Sequence, residues 1–511
     1  MNEHPVCVGS GTLLGVDAVP VTIEVKLRGE GGTPRLLGLV GPAVREAYHR
    51  VLDAFVAEGL PSPRGIPIIN FVPAGLPKDG TGFDLPLALA LAGAAGMFPL
   101  ERCKGLAAYG EVSLRGRVIG APGAVSMAIA AREADWCTLL LHPRDARYAA
   151  RVPGVEAFGV ASLREAVLWL RGELALAPAT ATLSTESQTP CGDMADIRGH
   201  ETPKRALAVA AAGRHNVLFV GPPGSGKSAL VQRLPGLLPP MHDDEMLEVL
   251  KIHSVSDHSP RLDGGRPLRT PHHSSSTASL LGGGKHVRPG EVTLAQHGVL
   301  FLDELPEFRR EALEGLRQPL EDRRITIGRA EQVITMPADF VLVAAMNPCP
   351  CGYHGHPQRA CTCTIVTQRR YLSRISGPLL DRVDVQVPVP TLPPAVLRAG
   401  PDDQGSTAVL RARVLAAVER QRSRNCDPKG NGAYVPNGRL PQSMLHRVAR
   451  ATSSVLDAVD HVMATYRLSG RGRVRLLRLA RTLADLADRD AVLVDDVLEA
   501  AALRRAEALL R

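Results

Sequence analysis

A glycine-rich segment near the middle of the chain constrains the fold more than any other feature. Residues 221–228 read GPPGSGKS and match G-x-x-x-x-G-K-[ST], the phosphate-binding P-loop. The apolar run 217–220 before it predicts a buried strand, and the helical spacing after Ser228 predicts a helix whose N-terminus faces the anion. This strand–loop–helix unit favours a parallel α/β sheet with the loop at its carboxyl edge.

The residue types of the loop predict how it holds a triphosphate. Backbone N–H groups turn towards the phosphates, Lys227 reaches the β- and γ-phosphates, and the Ser228 hydroxyl is a ligand for Mg²⁺. A glycine-rich turn that binds no nucleotide is the alternative. We assign ATP and Mg²⁺ binding to the whole loop, which comprises Gly221, Pro222, Pro223, Gly224, Ser225, Gly226, Lys227 and Ser228.

Polar residues follow two further apolar runs. Residues 298–304 read GVLFLDE, so Asp303 and Glu304 end a predicted strand at the edge where α/β sheets bind ligands. Asp303 is suited to hold Mg²⁺ through water, and Glu304 to polarise the attacking water. A third run, 340–345, leads to Asn347, which is suited to orient that water or to contact the γ-phosphate. A turn-forming asparagine before proline is the alternative for Asn347.

Length and composition indicate a soluble protein of several domains. A chain of 511 residues with 45% hydrophobic and 22% charged residues is too long for one compact core but ordinary in composition. The N-terminus lacks a secretion signal, the apolar stretch 85–100 favours a buried core helix over a membrane span, and the cysteine count is odd. We expect a cytoplasmic protein without membrane association. A net charge of +8 and a pI near 9.1 favour a polyanionic partner.

Changes in composition divide the chain into four parts. Residues 1–171 alternate strand-like and helix-like segments, and 172–195 are rich in Ala, Pro, Ser and Thr, as in a linker. Residues 196–395 alternate strand and helix around the P-loop, which predicts a parallel sheet with helices on both faces. Residues 396–511 predict an all-helical subdomain, with helical patterns over 443–466 and 474–487.

Several long motifs resemble one family. The three strands in this order resemble those of AAA+ ATPases. A closer resemblance, to the bacterial Mg-chelatase-like ATPases of the YifB/ComM type, covers nearly the whole chain. It is carried between residues 269 and 384 by RTPHHSSSTASLLGGG, RPGEVTLAQHGVLFLDELPEF, LRQPLE, AAMNPCPCG and SGPLLDRVD.

The family resemblance implies roles for residues outside the P-loop. It implies that Asn347 is the sensor-1 residue, that Arg382 is an arginine finger for a neighbouring subunit's γ-phosphate, and that Arg471 is the sensor-2 residue of a helical lid. Arg374 is a rival for the finger, and exposed helix charges are the alternative for all these arginines. A finger acting on a neighbour implies a ring, and AAA+ rings are usually hexamers.

The N-terminal part resembles Lon proteases. PKDGTGFD at 77–84 and GEVSLRGRV at 110–118 are similar to Lon segments, but Gly82 stands at the nucleophile position and Val125 at the lysine position. The Ser–Lys dyad is therefore absent. The predicted fold class is α/β and multidomain, with an N-terminal Lon-protease-like (S5-type) α/β domain, an AAA+ P-loop α/β core and a C-terminal helical lid. An unrelated N-terminal α/β domain is the alternative.

A cysteine cluster suggests a metal. The pattern C-x-C-x9-C-x-C suits tetrahedral Zn²⁺, with His354 and His356 as rival ligands and a loop of free thiols as the alternative. The four thiols belong to Cys349, Cys351, Cys361 and Cys363.

Two segments are candidates for DNA contact. Residues 323–337 predict a hairpin at the place where related helicases and chelatases carry one into the ring pore, and Arg324 and Arg329 suit a phosphate backbone. A solvent-exposed edge hairpin is equally compatible. The glycine-rich segment 280–285, preceded by His272 and His273, matches the family's insertion and is a second pore candidate.

Four functions compete at this stage. Resemblance to the family implies a DNA motor for branch migration of recombination intermediates in natural transformation, with single-stranded and branched DNA as partners. A Mg-chelatase ATPase subunit is disfavoured because the fused N-terminal domain and the cysteine cluster are not expected of it. Gly82 and Val125 oppose an ATP-dependent protease, and intact Asp303 and Glu304 oppose a non-hydrolysing assembly scaffold.

Overall fold

Two large sheets with their flanking helices, three two-stranded sheets and a set of C-terminal helices make up the described fold. The structure is a computed structural model and describes residues 4–29, 33–181, 192–256, 265–284, 287–328, 333–398, 400, 405–426 and 434–504. Within these ranges, no helix combines the length and apolar character that crossing a bilayer demands.

The N-terminal part is a mixed seven-stranded sheet in the order β3-β4-β2-β1-β5-β8-β9. The pairs β1–β2 and β2–β4 are antiparallel, and the other pairs are parallel. The predicted helix over 85–100 is shorter than expected, because Gly96 adopts a φ of 73° and ends the helical path. The elements are β1 (Val6–Leu14), β2 (Asp17–Arg28), β3 (Arg35–Leu37), α1 (Pro42–Ala57), β4 (Ile66–Val72), α2 (Asp84–Ala94), β5 (Leu106–Ala108), β6 (Glu111–Val112), β7 (Val118–Ile119), α3 (Ala124–Glu133), β8 (Thr138–Leu141), α4 (Pro143–Ala149), β9 (Glu156–Gly159) and α5 (Leu163–Arg171).

The central part confirms the predicted parallel sheet. Its five strands lie in the order β11-β14-β17-β10-β18, and every neighbouring pair is parallel. Its elements are α6 (Glu201–Gly213), β10 (Val217–Val220), α7 (Lys227–Gln232), α8 (Asp243–Val255), β11 (Leu268–Arg269), α9 (Thr277–Leu281), β12 (Gly282–Gly283), β13 (Arg288–Pro289), α10 (Glu291–Leu294), β14 (Val299–Leu302), α11 (Arg310–Gly315), α12 (Arg317–Asp322), β15 (Arg324–Gly328), β16 (Val333–Pro337), β17 (Val341–Met346), α13 (Ile365–Leu372), α14 (Gly377–Leu380), β18 (Val385–Pro388) and α15 (Pro394–Leu397).

Both faces of this sheet are buried, which explains why its strands are continuously apolar. Val217 and Phe219 of β10 face one hydrophobic cluster, which also contains side chains of α6 and of the C-terminal helices. Leu218 and Val220 face the opposite cluster, to which α11 and the β15–β16 hairpin contribute. The alternation of side chains along each strand therefore joins two layers through one sheet.

The C-terminal part is helical, and one predicted helix is in fact two. The pattern over 443–466 is divided because Arg450 takes a left-handed conformation with φ 46° and Thr452 begins a new helix. Side chains of both helices face the same core cluster, so the apolar periodicity continues across the break. The helices are α16 (Thr407–Arg424), α17 (Gln442–Ala449), α18 (Ser453–Tyr466), α19 (Gly470–Leu486) and α20 (Val494–Ala502).

The turn between β1 and β2 packs against the central part. Val16 is fully buried in the hydrophobic cluster that contains Leu218 and Val220. Lys251 of α8 forms an ion pair with Asp17, with Nζ and Oδ1 2.8 Å apart. The backbone N–H of Gly123 donates to the Ser254 carbonyl at 2.6 Å. The N-terminal sheet is thus held against α8 by apolar, ionic and backbone contacts.

Candidate active site

The P-loop begins where β10 ends, between β17 and β18 in the sheet. Gly224 and Gly226 have φ values of 75° and 88°, a left-handed conformation that glycine adopts without steric cost. A Cβ at Gly221 would lie 2.1 Å from the Val389 carbonyl oxygen, so only glycine fits there. α7 begins at Lys227, and its free N–H groups face the cleft above the loop.

Lys227 is the buried cation of the site, with a relative exposure of 8%. Its Nζ donates to the carbonyls of Gly221 and Pro222 at 2.8 Å each and to Asn347 Oδ1 at 3.3 Å. Burial lowers the pKa of the Lys227 ammonium, and the charges of Asp303 and Glu304 oppose that shift. The ammonium is thus bound by loop and strand-end oxygens, in a place where phosphate oxygens can take over.

Asp303 and Glu304 follow β14 directly, as the sequence predicts. Ser228 Oγ donates to Asp303 Oδ2 at 2.7 Å, and the Glu304 N–H donates to Asp303 Oδ1 at 2.9 Å. Glu304 has a φ of 53°, an uncommon conformation for a residue with a side chain, and such strain clusters at functional sites.

These groups line one cleft of about 410 Å³, formed by residues 223–229, Asp303, Glu304, Met346 and Asn347. The cleft suits a nucleotide with Mg²⁺, because its donors and acceptors are the types that such a ligand needs. Ser225 Oγ is buried with no hydrogen-bond partner among the described residues. A ligand oxygen in the cleft would satisfy it.

Two neighbours of the site were not predicted to touch it. His273 Nδ1 lies 3.2 Å from Glu304 Oε2, although the sequence suggested a pore-facing insertion for this histidine. The hydroxyl of Tyr371, on α13, accepts a hydrogen bond from the Asn347 backbone N–H, and burial raises the pKa of that hydroxyl. The pattern that could have pointed to His273 is its position shortly after β11, the strand beside β14.

The predicted arginines do not line the P-loop cleft in the described structure. Arg382 forms an ion pair with Glu321 and donates to the Pro378 carbonyl at 2.8 Å. Arg471 is exposed at the start of α19. The hydrogen bond from Arg382 lowers the pKa of the Glu321 carboxyl, and the charges of Arg382, Arg471 and Arg475 add to that shift. The finger and sensor-2 candidates therefore share one surface around Glu321, away from their own P-loop.

Arg374, the rival finger, lies on a different surface. Its guanidinium donates to Glu307 Oε2 at 2.7 Å and to the Pro306 carbonyl at 3.1 Å, and about half of its side chain (52%) is exposed. It lines an open cleft together with Arg310 and Arg370. Arg382 is more enclosed, with 10% of its side chain exposed.

The four cysteine thiols converge, as predicted. All four sulfurs lie within 4.8 Å of one another, and the closest pairs are 3.4, 3.5 and 3.6 Å apart. A tetrahedral zinc with Zn–S bonds of about 2.3 Å places its sulfurs roughly 3.8 Å apart, so the thiols fit that ion. A hydrogen bond from the Tyr353 backbone lowers the pKa of Cys351 to about 5, whereas burial raises the pKa of Cys349 to about 12.

The histidines near the thiols have other partners. His356 Nδ1 accepts from the backbone N–H groups of Gln358 and Arg359 at 3.1 Å each, and His354 Nδ1 lies 3.4 Å from the Gln368 amide. Among the described residues, the group able to hold a metal contains thiols alone.

Comparison with known proteins matches nearly the whole chain. The model for magnesium chelatase subunit ChlI covers residues 193–397, that for the ChlI C-terminal region covers 404–504, and a third, described as subunit ChlI of Mg-chelatase, covers 23–145. YifB of Salmonella typhimurium is 38% identical over 502 residues, 97% of this chain and 96% of that protein. Competence protein ComM of Haemophilus influenzae is 37% identical over 507 residues, 98% of this chain and 97% of ComM. The chain belongs to the YifB/ComM family of Mg-chelatase-like proteins.

Membership in the YifB/ComM family implies the use of ATP and Mg²⁺, in agreement with the cleft described above. The N-terminal match changes one argument from the sequence. Because residues 23–145 also match a model described as a chelatase subunit, the N-terminal domain does not separate the motor and chelatase hypotheses.

The position of Gly82 in this family member leaves no space for a serine nucleophile. A Cβ at Gly82 would lie 2.1 Å from the Tyr109 ring, whose hydroxyl donates to the Pro122 carbonyl at 2.9 Å. Val125 is fully buried in α3. The described positions thus agree with the predicted absence of a Ser–Lys dyad.

The hairpin expected of this YifB/ComM family member is present. β15 and β16 pair antiparallel, with Gly328 opposite Val333, and Arg324 is exposed at the start of β15. Val333 near the tip is 71% exposed. The second DNA candidate, Arg329, and the end of the 280–285 segment lie outside the described residues.

Proposed function

We propose that this chain is one subunit of a hexameric ring motor that hydrolyses ATP and acts on DNA. The motor promotes branch migration in homologous recombination and natural transformation. The observation that carries ATP hydrolysis is the 2.7 Å bond between Ser228 and Asp303 in the P-loop cleft. It brings the two candidate Mg²⁺ ligands together beside Lys227 and Glu304, the arrangement that phosphoryl transfer to water needs.

The chain's own residues divide the work of hydrolysis. The loop N–H groups and Lys227 bind the phosphates, and Ser228 and Asp303 would hold Mg²⁺, which neutralises charge on the β- and γ-phosphate oxygens when bound. The Glu304 carboxylate accepts a hydrogen bond from the attacking water and orients it in line with the γ-phosphate. Asn347, 3.3 Å from Lys227 Nζ, is placed to contact the same phosphate.

We infer that Arg382 and Arg471 act on the nucleotide of a neighbouring subunit. Both lie around Glu321, and neither lines the cleft of its own P-loop among the described residues. A guanidinium delivered by the neighbour stabilises charge on the transferred phosphoryl group. In this proposal the helices that carry Arg471 form the lid, and each active site is complete only in the ring.

Three observations support DNA as the substrate. The net charge is +8, the exposed hairpin carries Arg324, and one relative bears the name competence protein. We propose that the hairpin contacts the phosphate backbone in the ring pore, which makes binding dependent on salt. The N-terminal domain, a Lon-type fold without the dyad, serves assembly. In this proposal the ring is cytoplasmic.

One experiment tests motor function. ATP turnover is measured without DNA and with single-stranded, duplex and four-way-junction DNA, for the wild-type chain, for Glu304→Gln, and for Glu311→Gln, an exposed acid on α11 as matched control. We expect DNA to stimulate turnover in the wild type and in Glu311→Gln, and Glu304→Gln to abolish it. Turnover that no DNA changes, together with no DNA binding, would remove the motor proposal.

A chelatase-type ATPase subunit is the second candidate, favoured by the family models that cover both the central and the C-terminal parts. It predicts ATP turnover that responds to partner subunits and a porphyrin but not to DNA. The same turnover assay, with these additions in place of DNA, separates the two candidates.

We also propose that the four cysteines hold structural Zn²⁺. Their sulfur separations suit a site of four thiolates. Elemental analysis should find about one zinc per chain in the wild type and in Cys426→Ser, an exposed free thiol, but much less in Cys351→Ser. Less than roughly 0.2 zinc per wild-type chain would contradict the proposal.

A further inference from the structure

We propose that His273 is a positioning residue for Glu304 and fixes the carboxylate that orients the attacking water. His273 Nδ1 lies 3.2 Å from Glu304 Oε2. An ionised carboxylate only accepts hydrogen bonds, so this contact is attractive when Nδ1 carries the ring proton. Among the described residues, His273 is the one ion-pair partner of the Glu304 side chain. The inference rests on ATP hydrolysis at this site.

The sheet register brings the two residues together. β11 and β14 are parallel neighbours, and Arg269 of β11 is paired with Leu300 of β14. His273 follows Arg269 by four positions, and Glu304 follows Leu300 by the same number. Two chains leaving a parallel pair at equal distance reach the same edge of the sheet side by side.

The backbone on both sides of His273 is held in place by neighbouring residues. Arg269 forms a two-pronged ion pair with Glu291, at 2.6 and 2.9 Å, which fixes the start of the segment. The His273 ring packs against His272, with ring centroids 4.1 Å apart. His272 is held by Ser274, whose hydroxyl lies 2.7 Å from Nδ1 and whose N–H donates to it at 3.3 Å.

The Glu304 carboxylate needs a partner such as His273 because the surroundings of the Glu304 side chain leave its outer torsions free to rotate. Its side chain is 54% exposed, and its backbone lies in the left-handed region, which directs the side chain but does not fix its outer torsions. Attraction between the Nδ1–H group of His273 and Oε2 restrains those torsions and leaves Oε1 available for water. Orienting a catalytic group in this way affects the rate of the chemical step and not the binding of the nucleotide.

The test compares three substitutions of His273 in the full-length chain. His273→Ala removes the donor, His273→Asn places an N–H near the position of Nδ1, and His273→Gln moves it one bond further out. We expect His273→Ala to lower kcat by about tenfold. KM, the Kd for a fluorescent ATP analogue and the melting temperature should stay near wild-type values. His273→Asn should recover most of kcat, and His273→Gln much less.

A double-mutant comparison shows whether His273 acts through Glu304. In a Glu304→Gln background, His273→Ala should cause no further loss of turnover. The proposal is wrong if His273→Ala leaves kcat unchanged or raises it, or if His273→Asn and His273→Ala lower kcat equally. It is also wrong if His273→Ala lowers turnover further in the Glu304→Gln background. A wild-type chain without ATP turnover would overturn both this proposal and the proposed hydrolysis, whereas normal wild-type turnover that His273→Ala leaves intact overturns this one alone.

Discussion

The Ser228 hydroxyl donates a hydrogen bond of 2.7 Å to Asp303 Oδ2, across 75 positions of sequence. The bond joins the P-loop to the end of β14, because β17 alone separates β10 from β14 in the sheet. Both oxygens belong to residue types that ligate Mg²⁺ in nucleotide sites, so the fold brings two candidate metal ligands together.

This relationship predicts that Asp303→Asn separates metal use from nucleotide binding. The substitution removes the carboxylate charge but keeps the side-chain shape, so Mg²⁺-dependent ATP turnover should fall by about a hundredfold or more. Binding of a fluorescent nucleotide in EDTA should change little, because Lys227 and the loop are intact. Equal weakening of binding with and without Mg²⁺ would contradict this assignment.

The cysteine loop and the P-loop are in contact, so a change in one should affect the other. Gly352 has a φ of 84°, and a Cβ there would lie 2.5 Å from Pro223 Cδ. We expect Gly352→Ala to weaken nucleotide binding by about tenfold through displacement of the P-loop. Gly355→Ala is the matched control, since Gly355 has a φ of 75° but no atom within 4 Å of the added Cβ. If both variants bind nucleotide equally weakly, backbone strain and not the contact explains the loss. If both bind as tightly as the wild type, the prediction is wrong.

Restoring a serine at position 82 should not create a protease. The Tyr109 ring occupies the space of the side chain, so Gly82→Ser should lower stability by about 2 kcal/mol and give no peptidase activity. Thermal melting and a fluorescent casein assay measure the two outcomes. Gly75→Ser serves as control, because nothing lies within 4 Å of its added Cβ. Peptide cleavage by Gly82→Ser would show that Tyr109 moves aside.

Asp384 should make stability fall at acidic pH. Burial opposes its ionisation, but the His215 imidazole, whose Nδ1 lies 3.5 Å from Asp384 Oδ2, and the charge of Arg475 outweigh burial and hold the pKa of Asp384 well below its usual range. Because the folded pKa is depressed, this stabilisation is complete above the ordinary pKa near 4 and is lost as pH falls towards the folded value.

Asp384→Asn should therefore reduce stability by about 3 kcal/mol at neutral pH, since His215 and Arg475 lose a buried partner. It should also flatten the decline of the melting temperature below about pH 5. Asp381→Asn, an exposed acid nearby, is the control. An unchanged acid profile in Asp384→Asn would assign the decline to other groups.

Mixing experiments should identify the arginine that acts between subunits. Arg382→Ala chains should bind nucleotide normally but hydrolyse it at least about a hundredfold more slowly. When they are mixed with Lys227→Ala chains, whose Arg382 is intact, activity should partly return, because each variant supplies what the other lacks. Arg374→Ala is tested in parallel. Recovery with Arg374→Ala and not with Arg382→Ala would transfer the role to the more exposed arginine.

Prediction from sequence was accurate where the signal is local. The strand over 217–220, the P-loop and the acids after 298–302 each depend on residues adjacent in the chain, and all lie as expected. The thiol cluster is also local, since one short loop supplies its members. The single helix over 443–466 was wrong, because the apolar period continues through a left-handed turn at Arg450.

Contacts between distant segments could not be predicted in the same way. The position of His273 shortly after a strand does not by itself indicate that it meets Glu304, because this depends on which strand lies beside β14 and in which register. The gathering of Arg382 and Arg471 around Glu321 likewise brings together three segments that lie far apart in the chain. Such juxtapositions are decided by packing.

The sequence by itself determined the family and the residue types of the candidate sites: a loop suited to phosphates, two acids suited to a metal and water, and four thiols suited to a metal. It could do so because residue type and short spacing specify a backbone conformation and a set of donors. Only the tertiary structure decided which groups act together, placing His273 on Glu304, Gly352 against Pro223 and the finger candidates away from their own P-loop. The reason is that strand register and packing of buried side chains set distances between residues that no local pattern relates.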